Sequence, residues 1–361
     1  METPPAPDRA TRECTQPVTA TNGNGSGRPT PRRNFGDRLT QAVAERESQI
    51  VLGIDPDPAK LWPAAVESTS EARARLASTL SEAEDAAGGV GETSTGPSAA
   101  GVISRLETAA AVLAHCRALV DAAAPAVVAV KPQLACFERL GAPGWLALEH
   151  VCEHARSRGL LVLADGKRGD VPVTAAAYGQ ALVSSTPSPF GAVSGLQADA
   201  FTANPLLGRD SLEPLVNTAR AHNAGAIILV RTSNPGAADI LDLELATGER
   251  LWERLATLVD ELGQAGPSGL KDVGAVTGAT EPEHLARLRE LMPHTPFLLP
   301  GIGAQGGDVA ALAPAFAPGR AAGLITASRS IANAHQNSSA SPPEAARKEA
   351  ERLREQAWSL G

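Results

Sequence analysis

Eight short apolar runs, separated by helix-like stretches, do most to limit the folds open to this chain. They fall at 49 to 55 (QIVLGID), 126 to 132 (AVVAVKP), 160 to 166 (LLVLADG), 198 to 204 (ADAFTAN), 226 to 233 (AIILVRTS), 273 to 279 (VGAVTGA), 296 to 301 (PFLLPG) and 323 to 328 (GLITAS). Unbroken apolarity of this kind suits strands covered on both faces, the condition of a parallel sheet. Helical periodicity occupies 102 to 123, 144 to 158, 209 to 223, 249 to 264 and 281 to 291. Strand and helix therefore alternate, which predicts the α/β class. Eight units over about 300 residues predict a closed (β/α)8 TIM barrel rather than a doubly wound open sheet.

Composition divides the chain further. Residues 1 to 33 are rich in Pro, Thr, Asn, Gly and Arg with almost no large apolar side chains, which predicts a disordered tail. The barrel is expected over 34 to 334, with an insertion at about 63 to 101. Within that insertion, 69 to 87 has helical character and GGVGETSTGPSAAG reads as a linker, so the segment is expected outside the core. A second excursion, 236 to 248, follows the fifth strand. The end, 335 to 361, reads as a linker and a Glu/Arg/Ala-rich helix lying on the barrel wall.

A net charge of -8 and only 3% aromatic residues argue against a nucleic-acid surface, which needs a basic stripe or stacking platforms. No apolar stretch is long enough to span a bilayer, and the start METPPAPDRA lacks a signal-peptide core, so a cytoplasmic location is expected. Cys14, Cys116, Cys136 and Cys152 form no CxxC pair, which suits a reducing compartment.

Candidate chemistry gathers where the strands end. The run LVLADGKRGD closes a strand with Asp165, Lys167 and Asp170. Alternation puts Asp165 and Lys167 on one face, and Gly169 lets the chain turn and swing Asp170 outward. Asp-x-Lys-x-x-Asp arises by chance in roughly one chain in ten of this size, so its place at a strand's carboxyl end carries the signal. Asp55 and Lys131 stand at equivalent ends, and close alternating charges of this kind mark candidate acid/base sites. LPGIGAQGGD bares backbone N–H groups before a helix, and TASRSI supplies Arg329, a pairing that suits a phosphate after strands seven and eight. RTSNPG places Ser233 and Asn234 where they can read an amide or a ribose edge, although NPG also forms turns. His150, Cys152 and His154 share a helix expected on the outside of the barrel, remote from the rim, and are read as surface residues; no cluster suggests zinc or iron. Neither a Ser/His/Asp arrangement nor a GxGxxG fingerprint occurs.

Taken in order, GIDP, VKPQ, DGKRGD, Thr174, TANPLLG, RTSNPG, VTGAT, PGIGAQGGD and SRSI resemble the orotidine 5'-phosphate decarboxylase family, and its longer bacterial subgroup in particular. The likeness spans roughly Asn34 to Ala334. It implies cofactor-free and metal-free conversion of orotidine 5'-phosphate to UMP and CO2. It also implies that Asp55 and Lys131 bind the ribose, with Lys131 bonded to Asp165, that Asp165 faces the substrate carboxylate, and that Lys167 protonates C6. Asp170 and Thr174 would reach into the other subunit of a homodimer, Ser233 would meet the pyrimidine amide, and Pro300, Gly301, Gly303, Gln305 and Arg329 would hold the phosphate. Gly166 stands where the family usually has a small side chain, and Ser328 where it usually has Gly; neither removes a functional group. The alternatives are a Mg-dependent sugar-phosphate decarboxylase or synthase of the same superfamily, and a non-catalytic phosphate-binding barrel.

Overall fold

The computed structural model describes residues 33–87, 99–278, 282–301 and 309–360. The expected tail over 1 to 32, and the linker over 88 to 98, lie outside the described residues. Ten strands are described: β1 (Ile50–Ile54), β2 (Ala129–Pro132), β3 (Leu161–Arg168), β4 (Ser185–Ser188), β5 (Gly191–Ser194), β6 (Ala200–Ala203), β7 (Gly225–Arg231), β8 (Val273–Thr277), β9 (Phe297–Pro300) and β10 (Gly323–Ala327). Eight of them close a barrel in the order β1-β2-β3-β6-β7-β8-β9-β10, and every pairing in it is parallel. The predicted TIM barrel is the fold, and each predicted apolar run supplies one of its strands. The other two strands form an antiparallel hairpin after the third barrel strand. That hairpin was not expected from the sequence.

Alternation sorts each barrel strand into an inner and an outer row. Val51, Ala129, Leu163, Ala200, Ile227, Val276, Leu298 and Leu324 share the inner core, joined there by Phe35, Leu39 and Val43. Those three come from the helix Phe35–Arg46, whose amphipathic spacing buries one face and whose start is capped reciprocally by Asn34 and Asp37. Phe35 packs on Gly225, the first residue of β7, where an added Cβ would come within 2.4 Å of its ring. This helix therefore plugs the amino end of the barrel and leaves the carboxyl ends of the strands as the open mouth. Among the described residues no helix is long and apolar enough to cross a membrane.

The insertion corrects one expectation. The helix Thr69–Ala87 packs against the helix Ala99–Ala123, and its Ala72 and Leu76 are fully part of the outer core rather than outside it. Small and branched apolar residues on that face lie on a helix wall that is itself apolar, so burial wins over the polar composition of the segment. The terminal helix Pro342–Trp358 buries Ala345, Ala346, Ala350, Leu353 and Ala357 against the helix Ala99–Ala123 and β1. On the helix Ala142–Ser157 the three candidate ligands part company: Cys152 is buried in the core, while His150 meets Glu153 and His154 meets Asp121. The surface reading therefore fails for Cys152 and holds for the two histidines, whose contacts with their acidic partners lie at the exposed face of the helix.

Candidate active site

Position along the inner row decides which side chains reach the mouth. Two residues beyond the inner core residues Ala129, Leu163 and Ala200 come Lys131, Asp165 and Thr202, so these three crown the barrel interior. All are buried, with Asp165 only 4% exposed. Lys131 Nζ donates to Asp165 Oδ2 at 2.5 Å, and Lys167 Nζ donates to Oδ1 at 2.7 Å. Thr202 Oγ1 also donates to Oδ1, at 2.8 Å, and Gln133 Nε2 to Oδ2 at 3.2 Å. One carboxylate thus accepts from four donors.

The electrostatics follow from that count. Burial by itself pushes the Asp165 carboxyl up, but the ammoniums of Lys131 and Lys167, in charge and in hydrogen bonding, outweigh it and hold the group down at about 2. Asp165 is therefore a fixed negative charge at any ordinary pH.

Lys167 reaches Asp165 by a route that simple strand alternation does not describe. Strand β3 continues through Arg168, beyond the predicted end at 166, and its pairing with β6 shifts register between Ala164 and Arg168. Inside that irregularity Lys167 takes φ of 47°, in the left-handed region that side chains with a Cβ rarely adopt. Its side chain remains 42% exposed, open to the mouth.

A cavity of about 210 Å³ lies over this cluster, lined by Lys131, Asp165, Lys167 and Thr202, by Thr232, Ser233 and Asn234 of the loop after β7, and by Val276, Leu298 and Pro300. Polar groups gather on one side and apolar groups on the other. The loop after β7 is tied down by Arg231, which is buried and grips Asp242 through two bonds of 3.0 Å. Asp242 belongs to the excursion after the fifth barrel strand, which forms the short helix Ala238–Leu241 and then returns to the wall.

Asp55 and Arg329 lie apart from that cavity. Both are exposed and line a neighbouring space of about 400 Å³ with Asp57, Lys60 and Ser328, and the two cavities share no lining residue. Ser328 fits beside β1 because residue 53 is Gly: a Cβ there would meet Ser328 Oγ at 1.7 Å. Gly301 is described, with φ of 115°, whereas Gly303 and Gln305 lie outside the described residues. Asp170 is half-buried at the rim, its Oδ1 accepting from Val171 N at 2.7 Å, and it makes no ion pair among the described residues. Thr174 is exposed in the first turn of the helix Pro172–Val183.

The sequence reading missed Thr202, Gln133, Thr232, Arg231 and Asp242. A threonine in a strand reads as an ordinary strand former, so only its register against β3 reveals it. Gln133 was visible in VKPQ directly after Lys131, and Arg231 as a charge at the end of an otherwise apolar run. Among the described residues no three His, Cys, Asp or Glu side chains gather to hold a metal.

A closed parallel barrel with a buried Asp-Lys array at its open end defines an enzyme of the (β/α)8 class, with a compact pocket, part charged and part apolar, for a small substrate. Comparison with known proteins narrows this. The chain belongs to the family described as Orotidine 5'-phosphate decarboxylase / HUMPS family, which it matches over residues 106–345. It is 43% identical to the orotidine 5'-phosphate decarboxylase of Rhodopirellula baltica over 233 residues, covering 63% of this chain and 75% of that one. With the Haloarcula marismortui protein of the same name it shares 37% over 299 residues, 82% and 86% of the two chains. The structure of Leishmania donovani OMP decarboxylase superposes with a TM-score of 0.60 at 27% identity, covering 90% of this chain and 99% of that one.

Proposed function

We propose that this chain decarboxylates orotidine 5'-phosphate to UMP, with Lys167 delivering the proton to C6. The bond from C6 to the carboxylate breaks, CO2 leaves, and the electron pair stays on C6 in the plane of the ring. The π system cannot accept that pair directly, so stabilisation must come from fixed charges and positioning, toward the upper part of the ~8–23 kcal/mol range of enzymic barrier lowering. The Lys167 ammonium meets the growing charge and then gives up its proton, which forms the C6–H bond. Solvent restores the proton to the amine.

The observation that carries this reading is the pair of ammoniums on opposite oxygens of buried Asp165, at 2.5 Å and 2.7 Å. Asp165 stays ionised beside them. A substrate carboxylate about 4 Å from it would meet repulsion of ~4 kcal/mol at an effective dielectric near 20, relieved as CO2 departs. Lys167 offsets part of that repulsion. Asp55 and Lys131 bind the ribose hydroxyls, Ser233 the pyrimidine amide, and Pro300, Gly301, Gly303, Gln305 and Arg329 the phosphate. Grip on the distal phosphate supplies binding free energy that closes the rim loops and draws the two neighbouring cavities into one site.

The active form in this reading is a homodimer in which Asp170 and Thr174 complete the other subunit's site. Support comes from the surface beside them, where Val171 is 56% and Val173 85% exposed, an apolar edge that suits a partner better than water. A reducing, cytoplasmic setting suits the free thiols of Cys116, Cys136 and Cys152.

The test is an ultraviolet assay for loss of orotidine 5'-phosphate with EDTA present. Turnover that survives the chelator is the expected result. Activity on a sugar phosphate that needs added Mg²⁺, with none on orotidine 5'-phosphate, would establish the rival chemistry instead.

A further inference from the structure

The Lys167 backbone and the Asp165 carboxylate are held by the same atom. Where β3 loses register with β6, the Lys167 N–H has no regular ladder partner and donates instead to Thr202 Oγ1 at 2.9 Å. The same hydroxyl gives its single proton to Asp165 Oδ1 at 2.8 Å, the oxygen on which Lys167 Nζ also sits at 2.7 Å. Thr202 is 1% exposed, so water does not compete for either bond. The three groups close a ring: backbone of Lys167 to hydroxyl, hydroxyl to carboxylate, carboxylate to the ammonium of Lys167.

From this geometry we infer that Thr202 is a positioning residue for the reaction, the hydroxyl that holds Lys167 in its left-handed conformation and orients the Asp165 oxygen facing it. The inference rests on the proposed decarboxylation for its kinetic consequence, but not for its structural one. A left-handed lysine persists only where its surroundings over-determine it. The ring supplies that determination at the backbone end, inside the stretch between Ala164 and Arg168 where β3 has no register partner in β6. Gln133 and Lys131 secure the other carboxylate oxygen, so Asp165 keeps its charge and place when Thr202 changes, and the loss falls on Lys167.

Thr202→Val keeps the shape and removes both bonds; Thr202→Ser keeps the hydroxyl and removes a methyl. With Thr202→Val, kcat should fall by about 30-fold, equal to about 2 kcal/mol at ~1.4 kcal/mol per decade. KM and the binding of UMP should shift by less than about threefold, because the groups that would hold ribose and phosphate are untouched. Thr202→Ser should keep at least about a third of wild-type kcat, since only packing is lost. Thr202→Ala serves as a second hydroxyl-free variant if the valine does not fold. A crystal structure of either hydroxyl-free variant should show Lys167 out of the positive-φ region. Wild-type kcat in Thr202→Val, an equal loss in the serine variant, or an unmoved Lys167 backbone would overturn the inference. If the wild type does not decarboxylate orotidine 5'-phosphate at all, the proposed function fails, and the backbone of Lys167 in the variant still decides the role of Thr202.

Discussion

Asp165→Asn removes one negative charge and changes almost no volume, so it isolates what the carboxylate contributes. Four donors converge on Asp165, from Lys131, Lys167, Thr202 and Gln133. An amide offers them one oxygen and turns an NH2 toward the rest. The Lys131 ammonium, 7% exposed, is left buried without its counter-charge. Two routes set the size of the effect. Holding a carboxyl at about 2 against the ordinary 3.8 is worth about 2 kcal/mol of folding stability at neutral pH. Stranding one partner of a buried pair costs about 3–5 kcal/mol. The expected loss at pH 7 is therefore about 2–5 kcal/mol, read as a lowered midpoint in urea with an unchanged slope.

The sign with pH follows from the direction of the shift. A depressed carboxyl contributes fully above its unfolded value and loses that contribution as pH falls through its folded value, here from about 4 toward about 2. By pH 3 the gap between wild type and Asp165→Asn should have narrowed by about 1 kcal/mol. A variant as stable as wild type at pH 7, or a gap that widens on acidification, would refute the reasoning.

Two further outcomes test the outlying parts of the site. Arg329→Ala should raise KM for orotidine 5'-phosphate by about 10- to 100-fold through the lost charged hydrogen bonds to phosphate, with kcat less affected; an unchanged KM would remove Arg329 from phosphate recognition. If sites are shared across a dimer, mixing inactive Lys167→Ala and Asp170→Asn subunits should recover about a quarter of wild-type activity, because half the dimers are mixed and each has one intact site. No recovery after subunit exchange would place every group of the site in one chain.

What could be read in advance divides along physical lines. Each barrel strand was visible because burial on both faces leaves an unbroken apolar run, as in AIILVRTS and VGAVTGA. The hairpin Ser185–Ser188 with Gly191–Ser194 was not, since its residues are mostly exposed, polar and too few to show a period. The plugging helix Phe35–Arg46 could have been found from Asn34 and Asp37 at capping spacing and from Phe35, Leu39 and Val43 on one face. At the site, the charge of Asp165 and Lys167 at a strand end was plain, but alternation alone gave the wrong route to their contact. The register shift and the left-handed Lys167 depend on a neighbouring strand 35 residues on in the chain, at Thr202, and local sequence does not report that pairing.

Lys167→Ala tests the central claim most directly. Measured by ultraviolet loss of orotidine 5'-phosphate beside calorimetric binding of UMP, the variant should lose at least about a thousandfold in kcat, within the span set for a positioned proton donor. Binding of UMP should stay within about tenfold of wild type, because the ribose and phosphate contacts remain. Turnover within tenfold of wild type would contradict the assignment of Lys167 as the group that protonates C6.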